Sequence, residues 1–190
     1  MSCRNKVKWG VQVPGRAKQL FTPRIALILE KVGYTLTKHK FTTSNEQNSI
    51  LLYGKAGTGK TILAAQILLS LCEQAYLEGS EHRNFACFVS LSDLYMELKA
   101  SFGNNEEHEQ EIIERYKDYY ALCIDDIGLP VSSEWAYGVL YNIINHRYEQ
   151  MLPTIFTSNL DLVGLQKVYK DDRFVSRLRR MCKIIKVTGY

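Results

Sequence analysis

From residue 49 onward, short apolar runs alternate with longer segments in which apolar positions recur at helical spacing. Ser49-Ile50-Leu51-Leu52-Tyr53 is one such run, stopped by Gly54, and predicts a buried strand. Residues 61–76, rich in Ala, Leu and Ile, predict a helix, and residues 85–91 a second buried strand. Ser92 with Asp93 is expected to cap a helix over residues 94–100, which Phe102-Gly103-Asn104-Asn105 breaks. Residues 106–117 form a charged helical segment. Residues 119–124 are apolar throughout, which predicts a third strand, central in the sheet and ended by two aspartates. Ser132 or Ser133 is placed to cap a long helix reaching about Gln150, with Trp135, Val139, Leu140, Ile143 and Ile144 on its inner face. After Pro153, residues 154–157 predict a fourth strand, 160–169 and 172–182 two helices, and 183–188 a fifth strand. Helical crossovers require the strands to run parallel, so the fold class is α/β, a parallel five-stranded sheet flanked by helices. Upstream, residues 23–38 suggest one helix, preceded by a basic segment containing Pro14-Gly15 that is expected to be loosely ordered.

Composition narrows the function classes. With 190 residues, 46% of them apolar and 23% charged, the chain can bury one ordinary core, which excludes disorder, collagen and a disulfide miniprotein. No apolar run approaches the roughly 18 to 20 residues that cross a bilayer. The start Met1-Ser2-Cys3-Arg4-Asn5-Lys6 lacks a signal-peptide core, so a cytoplasmic location without membrane contact is expected. Cys3, Cys72, Cys87, Cys123 and Cys182 are scattered and never paired as Cys-x-x-Cys, the pattern of buried free thiols rather than of zinc or a disulfide framework. His39, His82, His108 and His146 show no metal-ligand spacing and read as surface residues. The twelve tyrosines, Tyr116, Tyr119, Tyr120, Tyr141 and Tyr148 among them, read as packing groups rather than base-stacking platforms. The net charge of +4 hides an asymmetry. Residues 1–40 carry nine lysines and arginines against Glu30 alone, a net of +8, which leaves the other 150 residues at −4. A basic arm on a mildly acidic body fits a nucleic-acid partner, or else a simply solvated terminus.

Chemistry enters between the first strand and the first helix. Gly54-Lys55-Ala56-Gly57-Thr58-Gly59-Lys60-Thr61 matches the phosphate-loop pattern in its proper context. Gly54, Gly57 and Gly59 leave the backbone free to turn its N–H groups around a polyphosphate at a helix N-terminus. Lys60 then suits the β- and γ-phosphates of ATP, and the Thr61 hydroxyl suits Mg²⁺. Ala121-Leu122-Cys123-Ile124-Asp125-Asp126 carries carboxylates to the C-terminal end of a strand, where open α/β sheets bind ligands. Alone, the two aspartates could simply open the turn at Gly128-Leu129-Pro130. Downstream of a phosphate loop they read as a site: Asp125 to hold the magnesium through water, Asp126 to polarise the attacking water.

With these motifs the chain resembles the AAA+ ATPases of the DnaC/IstB type, replicative helicase loaders and transposition helper ATPases. Asp125-Asp126-Ile127-Gly128 is similar to the family's Asp-Asp-hydrophobic-Gly, and Thr154-Ile155-Phe156-Thr157-Ser158-Asn159 is similar to its sensor 1 strand; Arg147-Tyr148 also fits. The resemblance implies a P-loop AAA+ domain over residues 45–190, with residues 1–44 as a basic arm plus one helix. It also implies that Asn159 positions the hydrolytic water with Asp126. Residues 172–180 resemble the family's Ser-Arg-Leu segment, whose arginine reaches a neighbouring subunit's nucleotide, and Arg177 takes that place. The competing use of this helix is to bind nucleic-acid phosphates, for which Arg173, Arg179, Arg180 and Lys183 are better suited. Family members usually continue past the last strand with Gly and a sensor 2 arginine, where this chain has Thr188-Gly189-Tyr190, so a reduced or absent C-terminal lid is expected. With 48 residues before the first strand and no cysteine pairs for a zinc module, a separate helicase-binding domain is not expected.

The function that follows is an ATP-hydrolysing, DNA-associated switch in replication, stimulated by assembly or by DNA. Its expected partners are DNA, single-stranded by preference, further copies of itself through the nucleotide sites, and a replicative helicase or a transposase. An IstB-like transposition helper is the alternative within the family. A nucleotide-binding interaction module with little hydrolysis is the alternative of another class. A small-molecule phosphotransferase is opposed by the Asp125-Asp126 pair and by the Thr157-Ser158-Asn159 strand end.

Overall fold

The computed structural model describes residues 48–77, 85–101, 106–129 and 133–188. The basic arm, the helix expected over residues 23–38, the break at 102–105, Pro130, Ser132 and Gly189-Tyr190 lie outside the described residues. Among the described residues five strands and six helices follow one another: β1 (Ser49–Tyr53), α1 (Lys60–Leu77), β2 (Ala86–Ser90), α2 (Leu91–Ser101), α3 (Glu106–Asp118), β3 (Ala121–Ile127), α4 (Glu134–Glu149), β4 (Thr154–Ser158), α5 (Leu162–Tyr169), α6 (Asp172–Met181) and β5 (Cys182–Lys186). All pairings are parallel, and the strand order is β2-β3-β4-β1-β5. β3 is interior as its apolar sequence requires, but the middle place belongs to β4, every residue of which is buried.

Strand alternation sorts the core into two layers. Ile50, Leu52, Ala121, Cys123 and Ile155 face α1, which meets them with Ala64, Ala65, Leu68 and Cys72. The two alanines add no bulk, so α1 lies close on the sheet. Leu51, Leu122, Ile124 and Phe156 point the other way, into a core built with α2 to α6. Parallel strands need both faces covered, and here both are. Cys72, Cys123 and Cys182 are buried free thiols and Cys87 is half-buried, as the spacing implied.

Several element ends differ from the sequence expectation. Helix α2 begins at Leu91, directly after β2, because Ser90 rather than Ser92 or Asp93 caps it: the Asp93 N–H donates to Ser90 Oγ at 3.0 Å. Ser133 caps α4, accepting from the Ala136 N–H at 3.2 Å, and Asp161 caps α5. Strand β5 starts one residue early, at Cys182, and ends at Lys186. Strand β3 does not stop at Ile124 but runs through both aspartates to Ile127.

Arg147 locks the lower, N-terminal edge of the sheet. Fully buried, it donates from Nε to Thr154 Oγ1 (2.9 Å), from Nη1 to the carbonyls of Tyr116, Lys117 and Tyr119 (3.3, 3.0 and 2.6 Å), and from Nη2 to the Pro153 carbonyl (2.8 Å). One rigid five-donor fork thereby ties the end of α3, the start of β4 and its own helix. Burial lowers its pKa to about 9, which still leaves it charged at neutral pH.

Candidate functional site

The phosphate loop leaves β1 at the upper, C-terminal edge of the sheet. Gly54 is required there by a close approach: a Cβ at this position would lie 2.2 Å from the Val187 carbonyl oxygen. Its N–H donates to the Ser158 carbonyl at 3.1 Å, and the Val187 N–H donates to that of Tyr53 at 2.7 Å, so the pairing of β4, β1 and β5 carries on to the base of the loop. Gly57 and Gly59 have φ of 81° and 85°, the left-handed region that side chains disfavour. Beyond them α1 opens with Lys60, its first N–H groups facing the loop. Lys55, Ala56 and Gly57 are exposed, while Thr58 and Gly59 are half-buried. Thr58 Oγ1 donates back to the Lys55 carbonyl at 2.9 Å and closes the turn.

Lys60 is 7% exposed, and three oxygens surround its ammonium: the carbonyls of Gly54 (2.9 Å) and Lys55 (2.8 Å), and Asn159 Oδ1 (2.9 Å). The Asn159 amide then donates from Nδ2 to Asp126 Oδ1 at 3.1 Å. Cation, amide and carboxylate form one chain across β1, β4 and β3. Beside it, Thr61 Oγ1 lies 3.1 and 3.2 Å from the two Asp125 carboxylate oxygens. A hydroxyl next to a carboxylate is a hard-oxygen pair suited to Mg²⁺, and the ammonium with the loop suits a polyphosphate. The residues fit both groups.

Consecutive residues of a regular strand face opposite sides, so Asp125 and Asp126 should not both reach one site. A bulge solves this. Between Ile124, paired with Phe156, and Ile127, paired with Ser158, two aspartates stand opposite Thr157 alone, and Asp126 adopts φ of 61°. Thr157 holds the bulge: its hydroxyl donates to Asp125 Oδ1 at 2.6 Å and accepts from the Asp126 N–H at 2.8 Å. Farther along, the Gly128 N–H donates to the Tyr169 hydroxyl at 2.9 Å, and Ser158 Oγ donates to the Ile127 carbonyl at 2.6 Å. Burial raises the Asp125 pKa above the ordinary aspartate value, opposed by the hydrogen bonds from Thr157 and Thr61 and by the charge of Lys60. A dication would relieve that cost.

The structure thus brings Gly54, Gly57, Gly59, Lys60, Thr61, Asp125, Asp126 and Asn159 to one edge of the sheet. Arg177 is not among them. It lies on α6 against the far half of α4, next to the edge where β4 begins, and donates from Nε to Asn145 Oδ1 at 2.8 Å. Arg173, expected from sequence to suit nucleic-acid phosphates, is exposed; it donates from Nη2 to Asp171 Oδ2 at 2.7 Å and lies over the Tyr141 ring. Arg179, Arg180 and Lys183 are exposed. Sequence reasoning missed Thr157 as an organiser of both aspartates, Tyr169 as a brace for Gly128, and Asn145 as a partner of Arg177. The polar strand end Thr157-Ser158-Asn159 was the available signal for the first; nothing marked the others.

Residues 20–190 match the family described as IstB-like ATP binding protein. The chain belongs to that family. Among its relatives is the replicative helicase loader DnaC of Buchnera aphidicola subsp. Baizongia pistaciae, 28% identical over 151 residues, which cover 79% of this chain and 58% of that protein. A crystal structure of DnaI is 26% identical with a TM-score of 0.60, covering 87% of this chain and 84% of that one. A crystal structure of the DnaC helicase loader, 19% identical with a TM-score of 0.62, covers 92% of this chain and 100% of that one and shows the same AAA+ fold. The chain spans about half the length of the curated DnaC relatives it matches. Among the described residues, no helix of this IstB-like protein is long and apolar enough to cross a membrane.

Proposed function

We propose that this IstB-like protein hydrolyses ATP with Mg²⁺ and uses the reaction as a DNA-associated, helicase-loader-like switch in replication. One observation carries the reading: a bulge turns both Asp125 and Asp126 toward the site, and Asn159 links Asp126 to Lys60. A strand that merely ended in a turn would have no need to aim two carboxylates one way.

In this reading the loop from Gly54 to Thr61 cradles the phosphates with its N–H groups, and Lys60 exchanges its loop carbonyls for β- and γ-phosphate oxygens. Thr61 and Asp125 would hold the metal. Magnesium, when bound, neutralises charge shared by the two phosphates. Asp126 accepts the proton of the attacking water, which Asn159 orients by accepting from water or donating to phosphate. Arg177 completes the site of a neighbouring subunit; its contacts with Asn145 and Tyr148 in the last two turns of α4, away from the βα loops that carry Lys60 and Asp126, support this. A guanidinium arriving in trans makes turnover depend on assembly. The basic arm, Arg179, Arg180 and Lys183 supply phosphate contacts for DNA. Names of the relatives favour a replicative helicase over a transposase as the remodelled partner.

Two variants test the chemistry. Lys60→Ala abolishes ATP binding, whereas Asp126→Asn binds ATP with near-native affinity and stops hydrolysis, read by nucleotide titration alongside phosphate release. Native turnover by Asp126→Asn would remove Asp126 from water activation.

A further inference from the structure

Arg177 is held from two sides by one helix. Its Nε donates to Asn145 Oδ1 at 2.8 Å, and its guanidinium carbon lies 4.7 Å from the centroid of the Tyr148 ring. Asn145 and Tyr148 are three residues apart on α4, hence on the same face. Asn145 is itself oriented, because its Nδ2 donates to Glu149 Oε1 at 2.8 Å and so turns Oδ1 toward Arg177. The Arg177 Nη1 and Nη2 groups make no hydrogen bond among the described residues, and this is the edge that grips phosphate bidentately. Cohesion between α6 and the rest of the core already comes from Phe174, Val175 and Leu178, all buried. A polar acceptor and an aromatic face converging on one guanidinium are not needed for that purpose.

We propose that Asn145 and Tyr148 are positioning residues: they fix the Arg177 side chain with its Nη edge outward, ready for the γ-phosphate held by a neighbouring copy of this chain. The inference rests on the trans role of Arg177 proposed above. It adds that the arginine is delivered preset by α4 rather than searching for its target as a mobile side chain, and that Tyr148 acts through its ring rather than its hydroxyl.

A mixing experiment separates the two claims. Arg177→Ala protein offers a good nucleotide site without the arginine, and Lys60→Ala protein offers the arginine without a nucleotide, so their mixture should regain ATP turnover. Three further donors carry Lys60→Ala together with Asn145→Ala, Tyr148→Leu or Tyr148→Phe, each checked for native melting and for co-assembly with the Arg177→Ala protein. The Asn145→Ala and Tyr148→Leu donors should restore about 10- to 100-fold less turnover than the plain donor, the scale of loss from a misplaced catalytic group. The Tyr148→Phe donor should match the plain one. Equal recovery with all donors overturns the positioning role and leaves the trans arginine standing. Loss of co-assembly by the Asn145→Ala and Tyr148→Leu donors makes the pair a subunit contact and also overturns it. No recovery from the plain donor in co-assembled mixtures overturns the trans role, and the inference falls with it.

Discussion

One hydroxyl sets two carboxylates in this site. Thr157 donates to Asp125 and accepts from the Asp126 backbone, so its loss should loosen both acids together. Thr157→Val, which keeps shape and removes the hydroxyl, is expected to lower kcat by about 10- to 100-fold, as removal of groups that orient metal ligands does elsewhere. Thr157→Ser should retain most of the activity, and steady-state hydrolysis of both variants checks this. Arg147 is the structural counterpart. Arg147→Ala would strip the donor from four carbonyls and Thr154, at about 1 to 3 kcal/mol for each acceptor left buried and unpaired. Urea unfolding should therefore show a loss of about 3 kcal/mol or more. The phosphate loop was legible in the sequence because its chemistry is local, eight consecutive residues between a strand and a helix. Thr157 was legible only as a polar strand end, because the partners that give it meaning lie 31 and 32 residues away.

At the scale of elements, apolar runs and helical spacing predicted all five described strands and all six described helices, and the departures were at their ends. Capping decides those ends, and several residues compete for it: Ser90, Ser92 and Asp93 are all capable, but only Ser90 directly precedes the helix. The bulge in β3 escaped prediction because it depends on register against β4. Helix α6, which carries Arg177, is capped by Asp171, whose Oδ1 accepts from the Arg173 N–H at 2.7 Å. Asp171→Ala should cost about 1 kcal/mol. Hydrogen bonds from the Arg173 side chain, foremost, hold the Asp171 pKa at about 2, below the ordinary 3.8. A lowered carboxyl pKa stabilises the fold fully above the unfolded value, and that contribution fades as pH falls from about 4 toward about 2. The stability gap between wild type and Asp171→Ala should therefore shrink across that range in denaturant titrations at successive pH values.

The whole molecule has a polarity that follows from parallel strands. Every βα loop opens at one edge, with Lys60, Asp125, Asp126 and Asn159, whereas Arg177 packs on Asn145 and Tyr148 of α4, so the proposed nucleotide site and the proposed trans arginine lie in different places. The α/β class was legible from the alternation of apolar runs with helical segments, and the family resemblance from the motifs at the strand ends. That Arg177 stands apart from Lys60 was implied by the resemblance, whereas its contacts with Asn145 and Tyr148 were not legible, because they depend on how α6 packs on α4. Charge adds a second whole-chain property: the +8 arm over residues 1–40 should contribute salt-sensitive DNA affinity through counterion release. Deleting residues 1–20 should flatten the plot of log affinity against log salt; an unchanged slope would assign the DNA contacts to the body. If a neighbouring copy completes the ATP site, turnover per protomer depends on assembly, and it can be measured from dilute to assembled protein. Specific activity should rise steeply with concentration for the wild type and stay low and flat for Arg177→Ala, whereas wild-type turnover that is the same per protomer at every concentration would contradict the account.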